Sequence, residues 1–276
     1  MSNIKGEIMA TTLKRTMRTR HIQMIGLASG IGTGLFLSSA YTIHTAGALG
    51  TIIAYSIGAL LVYLVMLSVA ELSIAMPATG AFHYHAQQLI GPATGFFVAI
   101  AYWLTWTIAL GSEFTAAGII MQRWLPHLPV WSFSGLFLLV ILLSNFFSAR
   151  IFGESEYWLA AIKVVAIVIF LLVGVLILTG IIHSPRTASA GFQNILSHGA
   201  FPNGIWAVFT TILAVNFAFS GTELMGITAG EVENPEKAIP KAIKAVWWRQ
   251  IIFFIGSIVI LAAVIPYEKA GVTESP

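Results

Sequence analysis

Residues 156–182 read EYWLAAIKVVAIVIFLLVGVLILTGII, and only Glu156 and Lys163 are charged. Further apolar stretches of this kind lie at 22–46, 50–75, 92–123, 131–149, 203–230 and 246–265. A bilayer core of about 30 Å is crossed by about 20 apolar residues in a helix. Inside it every backbone N–H and C=O must be paired within the protein. A chain built mostly of such stretches is therefore an all-α, polytopic membrane protein. Its composition agrees: 57% of residues are hydrophobic and only 9% are charged, with a mean hydropathy of +0.86. A soluble domain would carry about a quarter charged residues.

The charges that remain are placed unevenly. Lys5, Lys14, Arg15, Arg18 and Arg20 precede the first span, and this basic tail lacks the short apolar core of a cleaved signal peptide. With the N-terminus in the cytoplasm, these five join Arg150, Lys237, Lys241, Lys244 and Arg249 on the inner side. Arg123, Arg186 and Lys269 fall outside, and Lys163 lies within a span. Ten against three is a positive-inside bias. It accounts for the basic balance and removes any need for nucleic acid. Trp124, Trp131, Trp206 and the pair Trp247–Trp248 stand near predicted span ends, as an aromatic belt requires. Between spans two and three, MPATGAFHYHAQQLIGPATG is amphipathic and too short to cross, which predicts an interfacial helix.

Two spans carry interruptions. Span one contains ASGIGTGLFL, with glycines at 30, 32 and 34. A phosphate loop is excluded, because the terminal Gly-Lys-Ser/Thr and the preceding strand are both lacking. Gly26-x-x-x-Gly30 and Gly30-x-x-x-Gly34 fit close helix packing, as does Gly226-x-x-x-Gly230 in span six. Gly32, however, lies about 200° around the helix from Gly30, off any such face. A local loss of helix uses it, since glycine tolerates almost any backbone angle. Span six repeats the pattern with Ser220, Gly221, Thr222 and Glu223 in mid-span. Paired interruptions at corresponding places in two halves point to a transporter site of the inverted-repeat type. Half-helix N-termini there offer N–H groups to an anion, and half-helix C-termini offer carbonyls to a cation. An amino acid zwitterion fits such a pair.

The segments GIGTGLF, AELSIAMPATGAF, GPATGF, SEFTAAG, ESEYWLAAIKV and NFAFSGTELMGITAGEVENPEKAIPKAI resemble amino acid permeases of the amino acid–polyamine–organocation superfamily. The resemblance runs from about residue 13 to the end. It is strongest to the bacterial branch of S-methylmethionine, lysine, aromatic and GABA permeases. It implies a leucine-transporter-type inverted-repeat fold and proton-coupled uptake by alternating access in the cell membrane, with the proton as coupling ion and no cofactor. Against the family's usual complement of about twelve spans, seven are expected here. They divide into a cytoplasmic tail (1–21), a first five-helix repeat (22–182), two helices of a second repeat (203–265) and the start of an outer loop (266–276). The expectation is a fragment or a truncated product that does not transport alone.

By the same resemblance, Thr33 and Gly34 bind the substrate carboxylate, and Gly30 and Gly32 shape the unwound segment. The carbonyls of Gly30, Phe217 and Ser220 face the α-amine, Phe217 lies over the substrate, and Gly221 is a hinge. Ala28-Ser29 stand where family members often have two glycines. Lys163 resembles the lysine that, in some family members, occupies the place of a sodium ion seen in sodium-coupled relatives, so it is a candidate proton-coupling group. Its alternative is to snorkel to the interface.

Glu113, beside Ser112 and Thr115 in span three, is costly in lipid unless paired or facing a cavity. It is a candidate contact for a cationic substrate side chain, a proton relay or a protonated structural acid. Glu223 is either a cap at the second break or a proton acceptor. Glu71, Glu154 and Glu156 are read as structural. His83 and His85 are two apart, which suits no metal pair, and are read as surface loop histidines. Trp103 and Trp106 share a face and serve packing or line a pocket.

Other functions fit less well. A seven-helix receptor needs an outside N-terminus, and a retinal type needs a lysine in 246–265, which has none. An intramembrane hydrolase lacks its groups: there is no cysteine, no aspartate and no Gly-x-Ser-x-Gly. A packing scaffold leaves Gly32, Glu113 and Lys163 unexplained. A transporter, not an enzyme, is the expectation.

Overall fold

The computed structural model describes residues 28, 30–76, 81–146, 149–182, 190–197, 199–223, 243–244, 246–266 and 270. It is helical, without strands among the described residues. The helices are α1 (Thr33–Phe36), α2 (Ser38–Ala75), α3 (Ala81–Leu89), α4 (Pro92–Gln122), α5 (Val130–Ser144), α6 (Ala149–Leu178), α7 (Ile205–Ala218) and α8 (Val246–Val264). A short 3₁₀ turn, Phe192–Ile195, precedes α7. Four of the helices are long and apolar enough to cross a membrane, and α5 and α7 are shorter apolar helices.

The 38 residues of α2 do not form one rod. Gly47 has φ +77°, and the chain folds back there. Nine residues of continuous helix would separate Thr42 from Thr51 by about 13 Å. Instead the Thr51 hydroxyl donates to the Thr42 carbonyl at 2.7 Å. Spans one and two are the two arms of this reversal. Glycine is demanded twice at the corner, by its dihedral and by Pro202, whose Cδ would lie 2.5 Å from an added Cβ.

Both arms of α2 pack with α7 and α8 into one core. It contains Ile31, Leu35, Ile43, Ala54, Tyr55, Val215, Phe219, Phe254 and Ile258, and α6 adds Ile167. Small residues set the approach of the helices: a Cβ on Gly58 would meet Val215 at 2.8 Å, and one on Gly174 would collide with Ile260. The rings of Phe219 and Phe254 pack at 4.8 Å, with Tyr55 edge-on to Phe219. A second group is formed by α3, α4 and α5. The Ser134 hydroxyl of α5 donates to the Phe114 carbonyl of α4 at 3.0 Å.

Two boundaries and the setting of two histidines differ from the sequence reading. Span four, expected at 131–149, is helical only over Val130–Ser144, where the Asn145 amide turns back to donate to the Ile141 carbonyl. Helix α6 starts at Ala149 rather than 156, because a helix continues into the polar interface where hydropathy no longer marks it. His83 and His85 lie on helix α3, not in a loop. The His85 ring is buried and its Nε2 is 2.9 Å from the Met76 carbonyl, tying α3 to the end of α2. Residues 1–27 and 224–242 lie outside the described residues, and with them the basic tail, Gly226, Gly230 and most of the EVENPEKAIPKAIK loop.

Candidate functional site

Span one is not helical at Gly30–Gly32. Gly30 has φ +79°, Gly32 is extended, and regular helix starts at Thr33 without a side-chain cap. The N–H groups of a first helical turn have no acceptor within their own helix. Span six stops at Ala218, and a turn follows through Ser220 to Gly221, whose φ is +92°.

The three glycines of the first break face three different surroundings. A Cβ on Gly30 would stand 3.0 Å from the Ser220 carbonyl oxygen and 3.6 Å from that of Phe219. One on Gly34 would lie 2.5 Å from the Ala218 Cα, at the last turn of α7. One on Gly32 would lie 3.2 Å from Glu113 Oε1, on the other side. Gly30 and Gly34 thus bring the first break against the second, and Gly32 admits a carboxylate from α4.

That carboxylate is held. The Thr33 hydroxyl donates to Glu113 Oε1 at 2.7 Å, joining residues 80 apart in the chain. Glu113 and Thr33 are both half-buried. At the second break, Glu223 Oε2 accepts from the Gly221 N–H at 2.9 Å, so the acid caps its own turn. Tyr102 of α4 and Arg249 of α8 lie within electrostatic reach of Glu223.

The sequence-derived residues Gly30, Gly32, Thr33, Gly34, Glu113, Ser220, Gly221 and Glu223 therefore gather around two touching breaks. Phe217 stands on the last turn of α7, at 39% exposure, while Phe219 is the ring taken into the core. The Phe217 carbonyl accepts the Ser220 N–H at 3.0 Å. Lys163 is not part of this group. It is exposed on α6, one turn from the buried Ile167, and makes none of the contacts that join the two breaks.

Two features escaped the sequence reading. Arg249, counted there as an inner-surface cation, is buried at 2% exposure, and its Nη2 donates to the Thr222 hydroxyl at 2.9 Å. Its position at the start of an apolar span made it look like a topology signal. On α3 and α4, an open groove of about 620 Å³ is lined by Phe82, His83, Tyr102, Trp103 and Trp106, and Trp103 is largely exposed there. Among the described residues, no group of three or more His, Cys, Asp or Glu is placed to hold a metal ion.

The amino acid permease family model matches residues 21–276. The amino-acid permease RocC of Bacillus subtilis (strain 168) is 47% identical, over 100% of this chain and 58% of its own length. The histidine permease HisP of Lactococcus lactis subsp. cremoris (strain MG1363) is 41% identical, over 93% of this chain and 54% of its own. The lysine-specific permease LysP of the same strain is 40% identical, over 97% and 53%. The chain spans about half the length of these curated relatives.

Proposed function

This chain belongs to the amino acid permease family, and on that premise we propose that it carries the substrate-contacting core of a secondary active amino acid importer in the cell membrane. The observation that carries the reading is the contact between the breaks, where Gly30 lies against the Ser220 carbonyl while Glu113 is tied to Thr33. The zwitterion sits between them. Its carboxylate meets the uncapped N–H groups of Thr33 and Gly34, and its α-amine meets carbonyls of Gly30, Phe217 and Ser220. Both half-helix ends favour those charges.

Coupling to protons by alternating access belongs to the same proposal, with Glu223 and Lys163 as the exchanging groups and the N-terminus in the cytoplasm. An exposed amine on α6 supports Lys163 only through its place in the span, whereas Glu223 stands at the break itself. The substrate side chain is basic. Glu113 supports this choice as an acid beside Gly32, and so do relatives named for histidine and lysine.

The test is counterflow in proteoliposomes with the complete protein, using labelled L-histidine and L-lysine competed by a panel of amino acids. Competition chiefly by basic amino acids is the expected result. Uptake of neither, or competition chiefly by apolar or acidic amino acids, overturns the substrate assignment. Uptake that ignores an imposed pH gradient overturns the proton coupling.

A further inference from the structure

Arg249 is buried, whereas Arg123, Lys163 and Lys244 are exposed. A charged side chain within a membrane-spanning helix is costly, and it persists where it pairs or serves a function. Arg249 is 2% exposed, and the next residue, Gln250, is fully buried with neither amide atom hydrogen-bonded. The helix then widens into a π-helical turn over Gln250–Ile255. Such turns interrupt α-helices frequently at functional sites. Thr222, which receives the guanidinium, is itself 1% exposed, and its hydroxyl donates to the Phe219 carbonyl at 2.7 Å. A chain of hydrogen bonds thus runs from Arg249 through Thr222 to Phe219, whose carbonyl lies beside Gly30.

We propose that Arg249 is a positioning residue for the second break: from α8 it holds Thr222, and through it the turn Phe219–Glu223, in the geometry that meets the first break. The inference rests on the reading of the two breaks as the substrate site. Arginine suits the role because its guanidinium stays charged and directs five donors in a rigid fork. Its charge also lies within electrostatic reach of Glu223, whose carboxylate accepts from the Gly221 N–H. With the two linked, α8 and the inner side of the break move as one piece during any transition of the site.

This chain has no cysteine, and a single Ser220→Cys, placed in a complete protein whose remaining cysteines are replaced by serine, provides the reporter. Its rate of modification by a small methanethiosulfonate reagent reads the order of the break without requiring transport. Arg249→Gln is expected to raise that rate about tenfold, since it removes the charged donor to Thr222 and a positive charge near Glu223. Thr222→Val, which removes both the acceptor for Arg249 and the donor to the Phe219 carbonyl but leaves the cation, is expected to raise it about threefold. Arg249→Lys restores most of the protection.

The double variant Arg249→Gln/Glu223→Gln is expected to label more slowly than Arg249→Gln alone, because the uncompensated acid is gone. A merely space-filling arginine would give neither rescue. Unchanged labelling in both Arg249→Gln and Thr222→Val overturns the proposal, as does equal labelling of the lysine and glutamine variants. If Arg249→Gln does not insert, Thr222→Val and Arg249→Lys decide alone. Absence of uptake in the unmodified protein would sink the transport reading and leave this labelling result standing.

Discussion

The break at Gly30–Gly32 carries no charge of its own and borrows a carboxylate from α4, whereas the break at Ser220–Glu223 brings its own acid and borrows a cation from α8. The first is shaped by absent side chains: each glycine admits something that a Cβ would displace. The second is shaped by present ones, with Thr222 and Glu223 bonding to the turn that they occupy. The difference shows how one membrane chain meets one demand, the pairing of freed backbone groups, in two ways. Shape serves where two backbones must touch. Side-chain chemistry serves where the chain must be held open.

The comparison breaks first at Gly34. An added Cβ there meets the Ala218 backbone at 2.5 Å, which cannot yield as a flexible side chain can. Gly34→Leu is expected to remove the folded state, read as loss of the monodisperse peak in detergent. Even Gly34→Ala should cost about 1–3 kcal/mol by overpacking, read by thermal unfolding. At the second break, Gly221→Ala has to hold φ +92° with a side chain. The backbone strain alone is expected to cost about 1–2 kcal/mol of stability. If Gly221→Ala destabilises more than Gly34→Ala, the contrast between shape and chemistry is reversed.

Thr33→Val sharpens the comparison from the other side. It keeps volume and removes the donor to Glu113, so stability should fall by only about 1 kcal/mol. Uptake by the complete protein should fall about tenfold or more, and Thr33→Ser should retain it. Equal uptake by the valine and serine variants would reduce that hydrogen bond to a packing detail. Ser68→Ala, on an exposed turn of α2, is the smallest expected change, within about 0.5 kcal/mol by the same unfolding measurement.

Much of the site could be read in the sequence because glycine and charge are conspicuous inside lipid. Gly32 stood off any packing face, and Glu113 was an acid in mid-span. Arg249 was misjudged for the opposite reason: at the edge of an apolar run, a charge that anchors at the interface and one that points inward look the same. The two histidines of α3 were read as loop residues although their segment was read as an interfacial helix, and the burial of His85 against the Met76 carbonyl is a tertiary contact that the segment does not contain. Span lengths were misjudged where helices run past their apolar stretch, as α6 does.

By itself, then, the sequence determined the class of solvent, the apolar segments and the places where helix would be expensive. Those are local properties: each depends on a residue and its near neighbours meeting lipid. Only the tertiary structure decided which interruptions touch, that Gly30 lies on the Ser220 carbonyl, that Glu113 reaches Thr33 across 80 residues, and that Arg249 turns inward to Thr222. These pairings follow from how α2 reverses at Gly47 and how closely α7 and α8 pack against it. They depend on distances between helices, which no single stretch of sequence contains.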